Sequence, residues 1–273
     1  MTPRILIDGQ PADAISVQDR GFLYGDGLFE TLAVRNGVAL LWQRHMSRLQ
    51  RGAERLHLPS PALATLEQEV STLCQGVDRA VLKIIVTRGS GMRGYRPPAK
   101  TSPTRVLNLS EWPRELGPVD TGIALRVCRM RLSANPALAG LKHLNRLEQV
   151  LARAEWGDEY AEGIMLDVAG LVIEATAANV FAIERGVLYT PDLSQCGVAG
   201  VMRELVLERA AVLGIRCRIE PLPLERLYGA DEVFLTNSLI GIRSVTRLEH
   251  RTYAIGETTQ TLRKDLEEAD AVA

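Results

Sequence analysis

The chain has 273 residues, 46% of them hydrophobic, and a formal net charge of −1 at pH 7. That apolar share supports a packed core and excludes a disordered chain, and the length allows one large domain or two smaller ones. The near-neutral balance excludes a general nucleic-acid binder, whose electrostatic footprint is basic, and leaves room for local anion sites.

Ile5 to Ile7, Phe29 to Val34 and Val38 to Leu41 read as short strands, the last two joined at Asn36-Gly37, a strong hairpin signal. Trp42, Met46, Leu49, Ala53 and Leu56 then recur at three- and four-residue steps, which predicts a helix ended by Pro59. Leu63, Leu66, Val70 and Leu73 predict a second helix, and Val81 to Thr87 and Val106 to Ser110 two buried strands. A polar stretch with Pro113, Gly117 and Pro118 marks a linker at 113–121 between domains 1–112 and 122–273.

Beyond it, Ile123 to Met130 reads as a strand. A helix opened by Lys142 would carry Leu144, Leu147, Leu151 and Ala154 on one face. Ile164 to Val168, Leu171 to Glu174, Val180 to Ile183 and Val187 to Thr190 read as strands, and a helix runs from near Gly200 to a cap at Gly214. Cys217 to Glu220 and Glu232 to Thr236 read as strands and Glu257 to Glu268 as a closing helix. Elements mixed in this order fit an α+β architecture rather than a doubly wound sheet.

Met1 to Gly9 holds no signal-peptide core, and no apolar stretch reaches the length that spans a bilayer, so a cytoplasmic protein with no membrane and no nucleic-acid partner is expected. Cys74, Cys128, Cys196 and Cys217 are scattered, as are the histidines. No metal site is expected, and the thiols read as buried and reduced.

The chain has four lysines, Lys83, Lys100, Lys142 and Lys264, with arginine carrying the remaining positive charge. Arginine keeps its proton and cannot form a Schiff base, whereas a desolvated lysine becomes nucleophilic. On spacing alone, Lys142 is either such an amine or a surface lysine at a helix start. Gly197 to Met202 leads into a helix whose first N–H groups could receive an anion, although such a turn is often only a turn. Arg44, Arg48, Arg51 and Arg55 form a stripe that reads as a solvated cationic face. Lys83 lies mid-strand on the face of Val81 and Ile85, where burying an unpaired ammonium is costly. Arg93 lies in the Gly-rich loop Gly89 to Gly94, beside Arg88 and Arg96.

Five segments in this order resemble the fold-type IV pyridoxal-phosphate family, and above all its lyase branch: Gly25 to Thr31, Thr87 to Tyr95, Asn135 to Leu151, Glu174 to Phe181 and Gly197 to Arg203. The resemblance implies two domains with pyridoxal 5'-phosphate held between them. It implies that Lys142 holds the cofactor and acts as the base, that Arg48, the N–H groups of Val201 and Met202, and Ser238 take the phosphate, and that Glu174 keeps the pyridine nitrogen protonated. Thr31 would assist proton transfer, and Lys83 and Arg93 would meet substrate carboxylates. The implied reaction converts 4-amino-4-deoxychorismate to 4-aminobenzoate and pyruvate, a step toward folate. The alternative is a branched-chain or D-amino-acid transaminase on the same scaffold. A homodimer is implied, with a possible transient contact with aminodeoxychorismate synthase.

Overall fold

The computed structural model describes residues 4–113 and 121–269. Of the linker expected at 113–121, residues 114–120 lie outside the described residues. Two compact units emerge, one of residues 4–113 with Leu141–Asn145, the other of 121–140 with 146–269. The architecture is α+β in two domains.

The first unit contains β1 (Arg4–Ile7), β2 (Gln10–Pro11), α1 (Arg20–Tyr24), β3 (Gly27–Arg35), β4 (Val38–Ala39), α2 (Trp42–Arg55), α3 (Leu63–Cys74), β5 (Arg79–Thr87) and β6 (Arg105–Glu111). Its antiparallel sheet has the order β2-β1-β6-β5-β3-β4. Alternation along β3 sends Leu28, Leu32 and Val34 to one face, where they join Leu82, Ile84, Leu107 and Leu109 under Met46 and Leu49 of α2 and Leu66 and Val70 of α3. Each such side chain contributes about 1.5–3 kcal/mol by leaving water. The Asn36-Gly37 turn joins β3 to β4 with both residues at positive φ, 49° and 79°, as a two-residue hairpin requires. β4 is shorter than expected. Leu41 turns left-handed, with φ 54°, and caps α2 instead of extending the strand.

The second unit contains β7 (Ile123–Leu132), α4 (Leu147–Arg153), β8 (Glu162–Asp167), β9 (Leu171–Ala175), β10 (Asn179–Glu184), β11 (Val187–Pro191), α5 (Val201–Val212), β12 (Cys217–Glu220), β13 (Leu222–Pro223), α6 (Leu224–Gly229), β14 (Glu232–Asn237), β15 (Gly241–Leu248), β16 (Arg251–Thr252) and α7 (Glu257–Glu268). Nine strands follow the order β12-β11-β10-β14-β15-β7-β8-β9-β13, with β16 beside β15. The sheet is mixed, its β11–β12, β15–β7 and β7–β8 pairs being parallel. Ile164 and Val172 from one end share a core with Val180, Val233 and Val245, so the sheet curls in a barrel-like way.

One strand went unread in the sequence and one expectation needs correction. β15 carries Arg243, Ser244, Thr246 and Arg247, and no apolar run announces it, yet it lies centrally between β14 and β7. The helix expected from Lys142 begins five residues later, at Leu147, and Leu147 and Leu151 are 76% and 56% exposed instead of forming its inner face. Residues 142–144 run extended along β3: Phe29 N–H donates to the Lys142 carbonyl at 3.0 Å, and Leu144 N–H to the Gly27 carbonyl at 3.0 Å. A Cβ on residue 27 would stand 2.5 Å from the Val86 carbonyl oxygen and 2.8 Å from Leu144 Cδ1, so the close approach of β5 favours glycine there.

Candidate functional site

Pairing with β3 aims Lys142 at the sheet face opposite the helices. Its Nζ lies 4.4 Å from the centre of the Phe29 ring, and Lys83 Nζ lies 5.1 Å from the same ring. Thr31 follows two residues after Phe29, on the same face, and is the cross-strand partner of Lys83. Lys142, Thr31 and Lys83 are therefore brought together. Lys83 is exposed rather than buried, so the desolvation cost expected for it does not arise. An amine against an aromatic face beside a second ammonium suits reaction with an electrophilic carbonyl.

Arg48 projects from α2 toward the helix-covered face and is buried. Glu30, inward-facing between Leu28 and Leu32, accepts from Arg48 Nε at 2.8 Å and from its Nη2, while His45 Nδ1 lies 2.7 Å from Glu30 Oε2. Burial alone would raise the Glu30 carboxyl, but the charge and hydrogen bonds of Arg48, aided by His45, hold it at about 2. Burial pushes the His45 imidazole down, against the pull of Glu30. This fork fixes the plane of the guanidinium. The sequence reading missed Glu30 and His45. The available signal was a carboxylate at an inward position of an alternating strand, matched by His45 and Arg48 on the apolar stripe of α2.

Arg88 is buried and donates to the Leu56 and His57 carbonyls at 2.8 Å and to Asp26, so it supports the fold at the end of α2. Arg93 is exposed on its loop.

In the second unit, Glu174 near the end of β9 is 4% exposed and accepts the Val198 N–H at 2.8 Å. Gly197, at φ 84°, lies so close that a Cβ there would stand 3.3 Å from Glu174 Oε2 and 2.7 Å from Ile173. Arg146 lies within the field of Glu174, and burial pushes its guanidinium down against that charge. The loop is stapled by Gly140 N–H to the Gly197 carbonyl at 2.8 Å and by Asn179 Nδ2 to the Val198 carbonyl at 2.9 Å. A Cβ at Gly200 would collide with Asn179 Oδ1 at 2.0 Å, so the approach to α5 requires glycine.

α5 starts at Val201 with no side-chain cap. Val201 and Met202 bury their side chains, so their backbone N–H groups are what the helix start can offer an anion. Ser238 follows β14 in a turn held by Asn237 Oδ1, which accepts from Leu239 and Ile240 N–H at 2.9 Å each.

A primary amine, a buried carboxylate beside a glycine cradle and an uncapped helix start match an aldehyde, a ring nitrogen and a phosphate. These residues fit pyridoxal phosphate. The crystal structure of 4-amino-4-deoxychorismate lyase from Pseudomonas aeruginosa matches with a TM-score of 0.93 and 48% identity, covering 98% of this chain and 99% of that one. Aminodeoxychorismate lyase of Vibrio harveyi is 36% identical over 266 residues, 95% of this chain and 98% of that protein. A putative branched-chain-amino-acid aminotransferase of Methanocaldococcus jannaschii is 33% identical, covering 96% and 94%. The amino-transferase class IV family matches residues 27–248. The chain belongs to the class IV amino-transferase family and is an enzyme whose cofactor is pyridoxal phosphate.

Proposed function

We propose that the protein is a lyase that converts 4-amino-4-deoxychorismate to 4-aminobenzoate and pyruvate. One observation carries the reading over the other chemistries of the fold: Thr31 and Lys83 are cross-strand partners beside Lys142 on one sheet face. A hydroxyl and a second cation there suit a dicarboxylate that must lose a leaving group. The relatives from Pseudomonas aeruginosa and Vibrio harveyi support the same reading.

When bound, pyridoxal phosphate supplies an electron sink next to the amine-bearing carbon of the substrate. Lys142 Nζ would hold the cofactor, and its amine would take the proton from that carbon of the substrate. Glu174 keeps the pyridine nitrogen protonated, because a neighbouring anion raises the pKa of a cationic acid. Arg48, held in plane by Glu30, and Val201 N–H, Met202 N–H and Ser238 are the groups that would hold the phosphate. Lys83 and Arg93 orient the two substrate carboxylates. The ether C–O bond then breaks, the ring becomes aromatic, and the three-carbon fragment leaves as pyruvate after the Thr31 hydroxyl relays a proton.

The protein acts as a cytoplasmic homodimer and meets aminodeoxychorismate synthase transiently. The exposed Leu147, Val150 and Leu151 on α4 support burial in a subunit interface, and four free cysteines accord with a reducing compartment.

The test follows 4-aminobenzoate as holoenzyme meets freshly generated aminodeoxychorismate. Rapid formation is expected, with a loss of about a thousandfold or more in Lys142→Ala. The archaeal aminotransferase relative favours a second reading, amino-acid transamination. A cofactor-bearing protein that makes no 4-aminobenzoate but turns over amino-acid donors would replace the lyase by that reading.

A further inference from the structure

The loop between β5 and β6 is rich in glycine and proline, yet it is tied down at both feet and at its middle. At the feet, Asp19 Oδ2 accepts from the hydroxyls of Thr87 at 2.9 Å and Thr104 at 2.7 Å, and Thr87 N–H donates to the Thr104 carbonyl at 2.9 Å. At the middle, the buried Arg20 donates through Nη1 to the Gly94 carbonyl at 2.9 Å and through Nη2 to the Tyr95 carbonyl at 3.0 Å. Its Nε donates to Asp26 Oδ2 at 2.9 Å, the oxygen that also accepts from Arg88 Nε at 2.8 Å. The Arg20 guanidinium lies 4.9 Å from the Tyr24 ring centre, and the Tyr24 hydroxyl accepts from Gly94 N–H at 3.3 Å. Arg93 is the residue just before Gly94 and is exposed.

A rigid planar fork is suited to this task. Two carbonyls and one carboxylate are met by three fixed N–H directions, which a lysine ammonium on a flexible stem cannot reproduce. The carboxylate anchor keeps its charge: burial would raise Asp26, but Arg88 and Arg20 hold it below the ordinary range. The backbone on the C-terminal side of Arg93 is thus fixed before any ligand arrives, which lowers the ordering cost of binding.

We propose that Arg20 is a positioning residue for substrate recognition, holding the Gly89–Gly94 loop so that Arg93 meets a substrate carboxylate. It sets KM and leaves the chemical step unchanged. The proposal rests on the lyase reading and on the role of Arg93 in it.

The test is a double-mutant cycle on the full-length holoenzyme with aminodeoxychorismate. Arg93→Gln is expected to raise KM about tenfold, the loss of one charge-assisted contact. Arg20→Lys is expected to raise KM by a similar factor, with kcat within about twofold and cofactor absorbance unchanged. The double variant is expected to be no worse than Arg93→Gln alone, since both substitutions remove one interaction. Tyr24→Phe, which removes only the Gly94 N–H contact, is expected to raise KM about threefold and covers the case in which Arg20→Lys folds poorly. An Arg20→Lys enzyme with unchanged KM, or KM factors that multiply in the double variant, would overturn the positioning role while leaving Arg93 in place. An unchanged KM in Arg93→Gln would remove the role of Arg93 and the proposal with it. Absence of 4-aminobenzoate from the parent enzyme would instead overturn the lyase reading.

Discussion

Two buried glutamates, one in each compact unit, are held in contrasting ways. Glu30 is gripped by side chains: Arg48 forks onto it and His45 closes in from the same helix. Glu174 is set by backbone, taking the Val198 N–H beside a glycine whose missing side chain leaves it approachable. A carboxylate clasped by a cationic fork acts as an orienting strut and has little charge left to share. Glu174 takes a backbone N–H and also lies in the field of the buried Arg146 guanidinium, so its setting joins backbone and cation. Two residues of one type are thus seated by different sets of partners.

The largest effect expected from breaking this contrast is at Glu174. Glu174→Gln keeps the Val198 contact and removes the charge, so on its proposed role beside the ring nitrogen kcat should fall by about 10²–10³. An unchanged kcat would put the two glutamates in one structural class.

Glu30→Gln should cost about 3–5 kcal/mol, read by urea unfolding, because it leaves Arg48 charged and poorly paired in the core. Acid sharpens the point. The folded-state pKa of Glu30 is depressed to about 2 from an ordinary value of 4.5, so its contribution is complete above pH 4.5 and is lost as pH falls through 2. The parent enzyme should lose Tm steadily across that window, and Glu30→Gln should lose less over the same interval. Equal slopes in the two proteins would count against the Glu30–Arg48 pair as the source.

The smallest expected effect is at Thr31. Thr31→Val keeps the shape and strand propensity and removes the hydroxyl, so turnover should drop about tenfold with unchanged cofactor absorbance. Full turnover in that variant would end the proton-relay role.

The sequence was most legible where local chemistry and tertiary structure agree. Asn36-Gly37 supplies the positive φ its hairpin requires, and the stripe from Met46 to Ala53 in α2 is buried as the spacing predicts. It misled where long-range pairing decides. Leu144, Leu147 and Leu151 have helical spacing, but the hydrogen bonds of residues 142–144 to β3 take the first part of that run for a strand. β15 has polar residues at half its positions and gains its place from two flanking strands. Of the candidate site residues, Lys142 and Glu174 stood out by residue type and motif order. Glu30 and Arg20 did not, because a buried charge is recognised by its partners, and those are distant in sequence.

The short added strand at 142–144 has a consequence for folding. Its N–H and C=O groups pair with Gly27 to Phe29 at the start of an edge of β3 whose far end, at Val34 and Arg35, is covered by β4. A chain cut anywhere between residues 113 and 121 leaves that stretch bare, with unsatisfied donors and acceptors that template association with other chains. The two units are compact in space but interleaved in sequence, so neither is encoded by one continuous stretch. Closing so large a loop also opposes early pairing, so the Lys142 amine reaches the Phe29 ring only when distant parts of the chain have already found each other.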